Sequence, residues 1–188
     1  MASDTAQAAN WVTMAAQQGN MKAQLTLGQW FRAGTGVPPS EALSLTWYRL
    51  AADQGHPGAQ FKVGRCYDHG IGTTINPTQA VHWYTLAATQ THTEAQCALG
   101  VAYKIGRGVV ADSNAALKWL RLAATAGNAT AQHQLGDCYY QCEGFPLDKV
   151  KAFHWFSQAA SQDHADAQCN LGVCKYLASN SYIQMISY

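Results

Sequence analysis

Charge is what this chain has least of. Only 12% of its 188 residues are Asp, Glu, Lys or Arg, about half the usual share of roughly 25%, and the net charge is +1. That balance leaves no electrostatic footprint for nucleic acid or for an anionic membrane surface. No apolar run approaches the ~20 residues of a membrane span, so no membrane insertion is expected. The opening Met1-Ala-Ser-Asp has neither a basic n-region nor an apolar h-region, and no signal peptide is expected there. Catalytic arrangements are missing too: no Gly-x-Ser-x-Gly turn, no glycine loop of the phosphate-cradling kind, no suggestively spaced carboxylate pair. The sequence therefore predicts neither an enzyme nor a cofactor. What is abundant is apolar: hydrophobic residues make up 48%, enough for a continuous core and against disorder over most of the chain.

That apolar content is periodic. Trp11, Trp47, Trp83, Trp119 and Trp155 stand 36 residues apart without insertion or deletion. Ala-Ala pairs (Ala15/Ala16 through Ala159/Ala160), Ala-Gln pairs (Ala23/Gln24 through Ala167/Gln168) and glycines (Gly28, Gly64, Gly100, Gly136, Gly172) keep the same step. A fixed period of 20–50 residues marks a stacked repeat array. Residues 1–178 are read as one array, and Ser179–Tyr188 as a cap or tail in which Tyr182, Ile183 and Ile186 would cover the last helix pair.

Each period reads as two helices. From Pro57 to His69, Ala59, Val63, Cys66 and Tyr67 recur at helical spacing. Gly70 then supplies a left-handed C-cap, and Asn76-Pro77 an N-cap followed by proline at the first helical position. A second helix runs to about Gln90. The N-cap column is Asp4, Ser40, Asn76, Asp112 and Asp148. No stretch alternates as a strand does. The Ala-Ala pairs and mid-helix glycines let helices approach closely, and the tryptophan is expected to fill the groove they leave. Cys142 stands in the Gly34/Gly70/Gly106 column, and Thr91 and Asp163 stand at boundary positions held elsewhere by glycine.

The run Ala-Gln-x-x-Leu-Gly-x-x-Tyr-x-x-Gly-x-Gly-Val, followed by Asp-x-x-x-Ala-x-x-Trp-Tyr-x-x-Ala-Ala-x-x-Gly, resembles the Sel-one-like repeat, a tetratricopeptide-type α-solenoid family. The resemblance spans about residues 4–178 and is strongest in Ala95–Gly127. It implies an all-α, right-handed superhelix of about ten helices, in which the first helix of each pair lines the concave side. It also implies an adaptor or scaffold, since few family members are enzymes.

Histidines and cysteines are the residues that invite chemistry. Cys66 and Cys97, and likewise Cys138 and Cys169, lie 31 residues apart, a spacing that the repeat itself generates. A bridge would need a helix slide, because five positions along a helix rise ~7.5 Å and bridged Cα atoms lie ~4.4–6.8 Å apart. Free buried thiols are expected, which fits a reducing compartment. Cys138 and Cys142, with His133 before them and Cys169 and Cys174 in the next repeat, form a zinc alternative; no metal is expected. His56, His92 and His164 sit at helix starts, where a ring nitrogen can serve the boundary.

By analogy with the tetratricopeptide pattern, the concave columns run from Lys22 to Tyr176. The first three copies contribute Lys22, Arg32, Arg65 and Lys104 against Asp68 and Glu94. The last two contribute only Asp137 and Asp166 as charges. Phe61, Arg65, Val101, Lys104, His133 and Tyr140 are the candidate anchors for a peptide or helix of a protein partner, being apolar, aromatic or basic on an otherwise polar face. A second function class, a secreted or periplasmic carbohydrate- or cell-wall-directed binding module, is compatible with low charge and many aromatics.

Overall fold

In the computed structural model, residues 2–141 and 145–186 are described, with side chains described over 7–141 and 145–176. Ten helices and no strand form among them: α1 (Ala2–Gln17), α2 (Met21–Ala33), α3 (Glu41–Asp53), α4 (Pro57–His69), α5 (Pro77–Thr89), α6 (Thr93–Ile105), α7 (Ser113–Thr125), α8 (Ala129–Gln141), α9 (Lys149–Ala160) and α10 (Ala165–Ile186). Each packs chiefly against its neighbours in sequence, as expected of a one-dimensional array. The even-numbered helices open a repeat and the odd-numbered ones close it.

The caps follow the expected chemistry. Ser40, Asn76, Asp112 and Asp148 side chains accept hydrogen bonds from backbone N–H groups in the first turns of α3, α5, α7 and α9. Nδ1 of His56, His92 and His164 accepts from the N–H of Ala59, Ala95 and Ala167. Asp4 departs from this pattern, because α1 already begins at Ala2 and Asp4 lies inside it. Thr91 and Asp163 hold left-handed φ values of 64° and 60° despite their side chains. Cys142 and the side chains of Tyr182, Ile183 and Ile186 lie outside the described residues. The α10 backbone runs unbroken from Ala165 to Ile186.

The tryptophan does not fill the groove beside the mid-helix glycine; the residue after it does. A Cβ built on Gly28, Gly64 or Gly136 would sit 2.6 Å from the ring of Tyr48, Tyr84 or Phe156, and one on Gly100 would sit 2.7 Å from Leu120 Cγ. These four side chains are at most 4% exposed. Trp83 and Trp119 instead join clusters that reach into the repeat before: Trp83 with Tyr48 and Ala51 of α3 as well as Val63 and Cys66 of α4, and Trp119 with Tyr84 and Ala87 of α5 as well as Leu99 of α6. Trp83 is 8% exposed and Trp11 70%.

Two polar devices tie the layers. Gln24, Gln60, Gln96 and Gln132, all buried, donate to the carbonyls of Ala16, Ala52, Ala88 and Ala124. Three of them also accept from a glutamine 30 residues on: Gln54 to Gln24 at 2.7 Å, Gln90 to Gln60 at 2.8 Å, Gln162 to Gln132 at 2.9 Å. The loops contribute the other device. Gly72 and Gly108, at φ 68° and 75°, press on the backbone of Glu41 and of Pro77 at the start of the preceding repeat's second helix, where a Cβ would collide.

Candidate interaction face

The six anchor residues lie on α4, α6 and α8, the first helices of three consecutive repeats. On α4, the Phe61 ring is half-buried, 5.8 Å from Tyr84 and 5.0 Å from His92. Arg65, one turn on, is also half-buried. Beside them Lys62, which the concave columns leave out, has its pKa lowered by burial first and then by the Arg65 and Arg32 guanidinium groups, with Glu94 opposing. Three cations are therefore gathered over α2 and α4 (Arg32, Lys62, Arg65).

On α6, Val101 packs against the core around Leu135 and lines a cavity of about 40 Å³ with Tyr84, Asp68 and Arg107. Lys104 Nζ donates to Gln134 Oε1 at 3.2 Å. On α8, the Tyr140 ring stands edge-on to Phe156 at 6.3 Å. His133 differs from the other five. It is only 8% exposed, stacks on His164 at 4.9 Å, and its Nε2 accepts from Asn170 Nδ2 at 3.1 Å. That amide also donates to Asp137 Oδ1 at 3.2 Å. Burial, outweighing the Asp137 carboxylate, lowers the His133 pKa, so the ring is neutral at pH 7 and forms a floor rather than a projection.

Asp68, in a concave column, is tied into the fold. Arg107 Nε donates to its Oδ1 at 2.7 Å, Arg107 Nη2 to its carbonyl at 2.8 Å, and the Tyr84 hydroxyl to its Oδ2 at 3.3 Å. The loop arginine thus clamps the C-terminal end of α4 in the previous repeat, and Asp68 offers little charge to a partner.

Cys66, Cys97 and Cys138 are free and buried, whereas Cys169 is exposed and Cys174 half-buried. Burial pushes each of the three buried thiols up to about 11, so they are protonated at neutral pH and act as small apolar packing groups. Among the described residues, no three His, Cys, Asp or Glu side chains come close enough together to hold a metal ion. None of the helices described is long and apolar enough to cross a membrane.

The Sel1 repeat description matches residues 1–20, 22–56, 57–92, 93–128, 129–164 and 165–179. The chain belongs to the Sel1 repeat family. Sel1 repeat proteins are generally protein-interaction scaffolds rather than enzymes. A protective antigen of uropathogenic Escherichia coli strains, displaying an SLR fold, is 37% identical with a TM-score of 0.84, over 89% of this chain and 36% of that one. A Sel1 repeat protein from Oxalobacter formigenes is 36% identical with a TM-score of 0.78, over 83% of this chain and 64% of that one. The chain therefore spans less than two thirds of either relative. Helicobacter pylori cysteine rich protein B, at 18% identity and TM-score 0.55 over 70% of this chain and 94% of that one, shares the fold. No curated protein sequence matches the chain.

Proposed function

We propose that this Sel1 repeat array is a non-enzymatic adaptor that takes an acidic, partly apolar peptide or helix of a protein partner across the first helices of its central repeats. The observation that carries this reading is the cation cluster: burial first, and then Arg65 and Arg32, depress Lys62 against the opposing pull of Glu94 and Cys66. Crowded, half-desolvated cations of one sign are stabilised by an incoming anionic segment. Phe61, Val101 and Tyr140, half-buried and anchored on the core, supply apolar area beside the charge. Lys104 extends the basic track onto α6, and His133 stiffens the floor beneath Tyr140. A carbohydrate-directed surface would call for exposed rings. Among the described residues the large exposed aromatics are Trp11, Phe153 and Tyr176, on α1, α9 and α10 rather than on α4–α8.

Selection from a displayed random-peptide library tests the proposal. The expected result is enrichment of peptides combining Asp or Glu with bulky apolar residues. Arg65→Glu, on a half-exposed side chain, should weaken the selected peptide while leaving the fold intact. Phe61→Ala with Tyr140→Ala should weaken it by roughly 30-fold or more if these are hot spots. Enriched peptides without acidic residues, or binding indifferent to Arg65→Glu, would overturn the reading.

A further inference from the structure

We infer that Arg32, Lys62 and Arg65 form a phosphate-monoester site, and that the anion taken on the first-helix face is a phosphorylated side chain of the partner segment. This rests on the adaptor reading above and deepens it, by naming the chemical group that the α2–α4 end of the face recognises.

The repeat does not generate this cluster. The column of Arg32 holds Asp68, Lys104 and Tyr140 in the next three first helices. That of Lys62 holds Ala98 and Gln134 in α6 and α8, and that of Arg65 holds Val101 and Asp137. The three charges therefore meet no requirement of the fold.

They gather at one place. Arg32 occupies on α2 the position that Asp68 occupies on α4, one turn beyond Arg65, and Lys62 lies a turn before Arg65 on the same helix. Burial chiefly sets the pKa of the Lys62 amine, the Tyr48 hydroxyl and the Cys66 thiol, and the charges of Arg32 and Arg65 act on all three. Tyr48 and Cys66 are buried, so the two guanidinium groups flank a spot with closed core behind it. Lys62 and Arg65 are half-buried, and Arg32 is exposed.

The cluster also lacks a counter-ion. Among the described residues, none of the three side chains makes a hydrogen bond or an ion pair. Asp68, the acid on α4, is already held by Arg107 and by the Tyr84 hydroxyl. The Glu94 carboxylate stands beside His92, 3.5 Å from its Nδ1. A single carboxylate from a partner would bring one charge and two oxygens to three cations. A phosphate monoester brings about −1.5 to −2 at pH 7 and three strong acceptor oxygens. Two guanidinium forks and an ammonium group match that set in donors and in charge. Phe61, whose ring centre is 5.9 Å from Lys62 Nζ, begins the apolar track that Val101 and Tyr140 continue on α6 and α8. A peptide uses such a track, whereas a lipid headgroup alone does not.

The test titrates three degenerate peptide pools against the intact chain by fluorescence anisotropy. The pools are alike except for a central phosphoserine, glutamate or serine. The phosphoserine pool should bind at least ~10-fold more tightly than the glutamate pool, and the serine pool should bind most weakly. Arg32→Gln, Lys62→Gln and Arg65→Gln should each remove most of that preference, while Arg49→Gln, exposed on α3, should leave it. Each of the first three relieves repulsion between like charges, so their urea midpoints should hold or rise, which separates lost binding from lost fold. Equal affinity for the phosphoserine and glutamate pools would overturn the inference and leave the acidic-peptide adaptor standing. A phosphoserine preference that survives Arg32→Gln and Arg65→Gln would overturn it as well. So would inorganic phosphate displacing the peptides at their own concentration, which would mark a site for the free anion. Binding of none of the pools would bring down this inference and the adaptor reading together.

Discussion

The Gln54 side-chain amide reaches across from the end of α3 to donate to Gln24 Oε1 at 2.7 Å, and Gln24 in turn donates to the Ala16 carbonyl at 3.1 Å. One buried glutamine thereby stitches three successive helices. The pattern repeats at Gln60 and Gln132 but is broken at Gln96, where the column of Gln54, Gln90 and Gln162 holds Ala126. Ala126→Gln should close the gap and raise stability by about 0.5–1 kcal/mol, the net worth of one such bond. Gln90→Ala should lower it by a similar amount or more. Urea midpoints at constant slope measure both; no rise with Ala126→Gln would mean that the ladder contributes nothing at that junction.

The same tryptophan column should give opposite answers at its two ends. Trp83, at 8% exposure within the α3–α4 core, should cost roughly 3–5 kcal/mol on truncation to alanine. Trp11, 70% exposed, should cost no more than about 0.5 kcal/mol. Denaturant melts of the two variants check the contrast.

Thr91 holds φ 64° at a boundary where Gly19, Gly55 and Gly127 sit near 90°. A Cβ at any of those three glycines would meet nothing within 4 Å, so the cost at such a boundary is conformational, not steric crowding by neighbours. Left-handed backbone costs an L-residue about 1–2 kcal/mol, and glycine returns part of that gain as unfolded-chain entropy. Thr91→Gly should therefore stabilise by roughly 0.5–1 kcal/mol. Asp163→Gly should gain less, since Asp tolerates this region better than a β-branched residue does. Thermal unfolding of the pair gives the comparison, and a destabilised Thr91→Gly would refute it.

Acidification should weaken the array in a defined window. Burial lowers the pKa of His92 against the pull of Glu94, and that of His133 against Asp137. Both rings are therefore favoured neutral in the fold, and His92 needs an unprotonated Nδ1 to accept from the Ala95 N–H. Their stabilisation is complete above the unfolded histidine value of ~6.5. It is lost as pH falls below that value toward the lowered folded one, because the unfolded chain binds protons first. The urea midpoint should drop between pH 7.5 and 5.5. His92→Asn, which keeps a capping oxygen as Asn20 and Asn128 do in that column, should flatten the drop. An unchanged profile would remove His92 from the account.

Local chemistry was legible in the sequence, and inter-repeat geometry was not. The bounds of α4, its Gly70 cap, the Asn76 cap of α5 and the histidine caps all depend on residues within a few positions of one another, and each is as the pattern predicts. Misassigning the groove-filler to Trp83 rather than Tyr84 came from reading recurrence as burial. Recurrence says that a position matters, but only the pitch of the stacked helices says which of two adjacent side chains turns toward Gly64. The Gln60–Gln90 bond joins columns 30 residues apart, and the burial of His133 under His164 and Asn170 likewise depends on the next repeat's placement. Of the candidate face, the residue types were readable. Lys62 lies outside the concave columns, and the effect of Arg32 on it depends on where the preceding repeat is placed.

The second glycine of each loop sets a rule on heredity as well as on shape. Gly72 and Gly108 lie against the backbone of Glu41 and Pro77 in the repeat before, so each of these two loops is gauged against its predecessor. One added residue would lift the gauge off its stop and tilt all the helices beyond it. Duplicating or deleting a whole 36-residue unit would keep that gauge, whereas a single-codon insertion within either loop would break it.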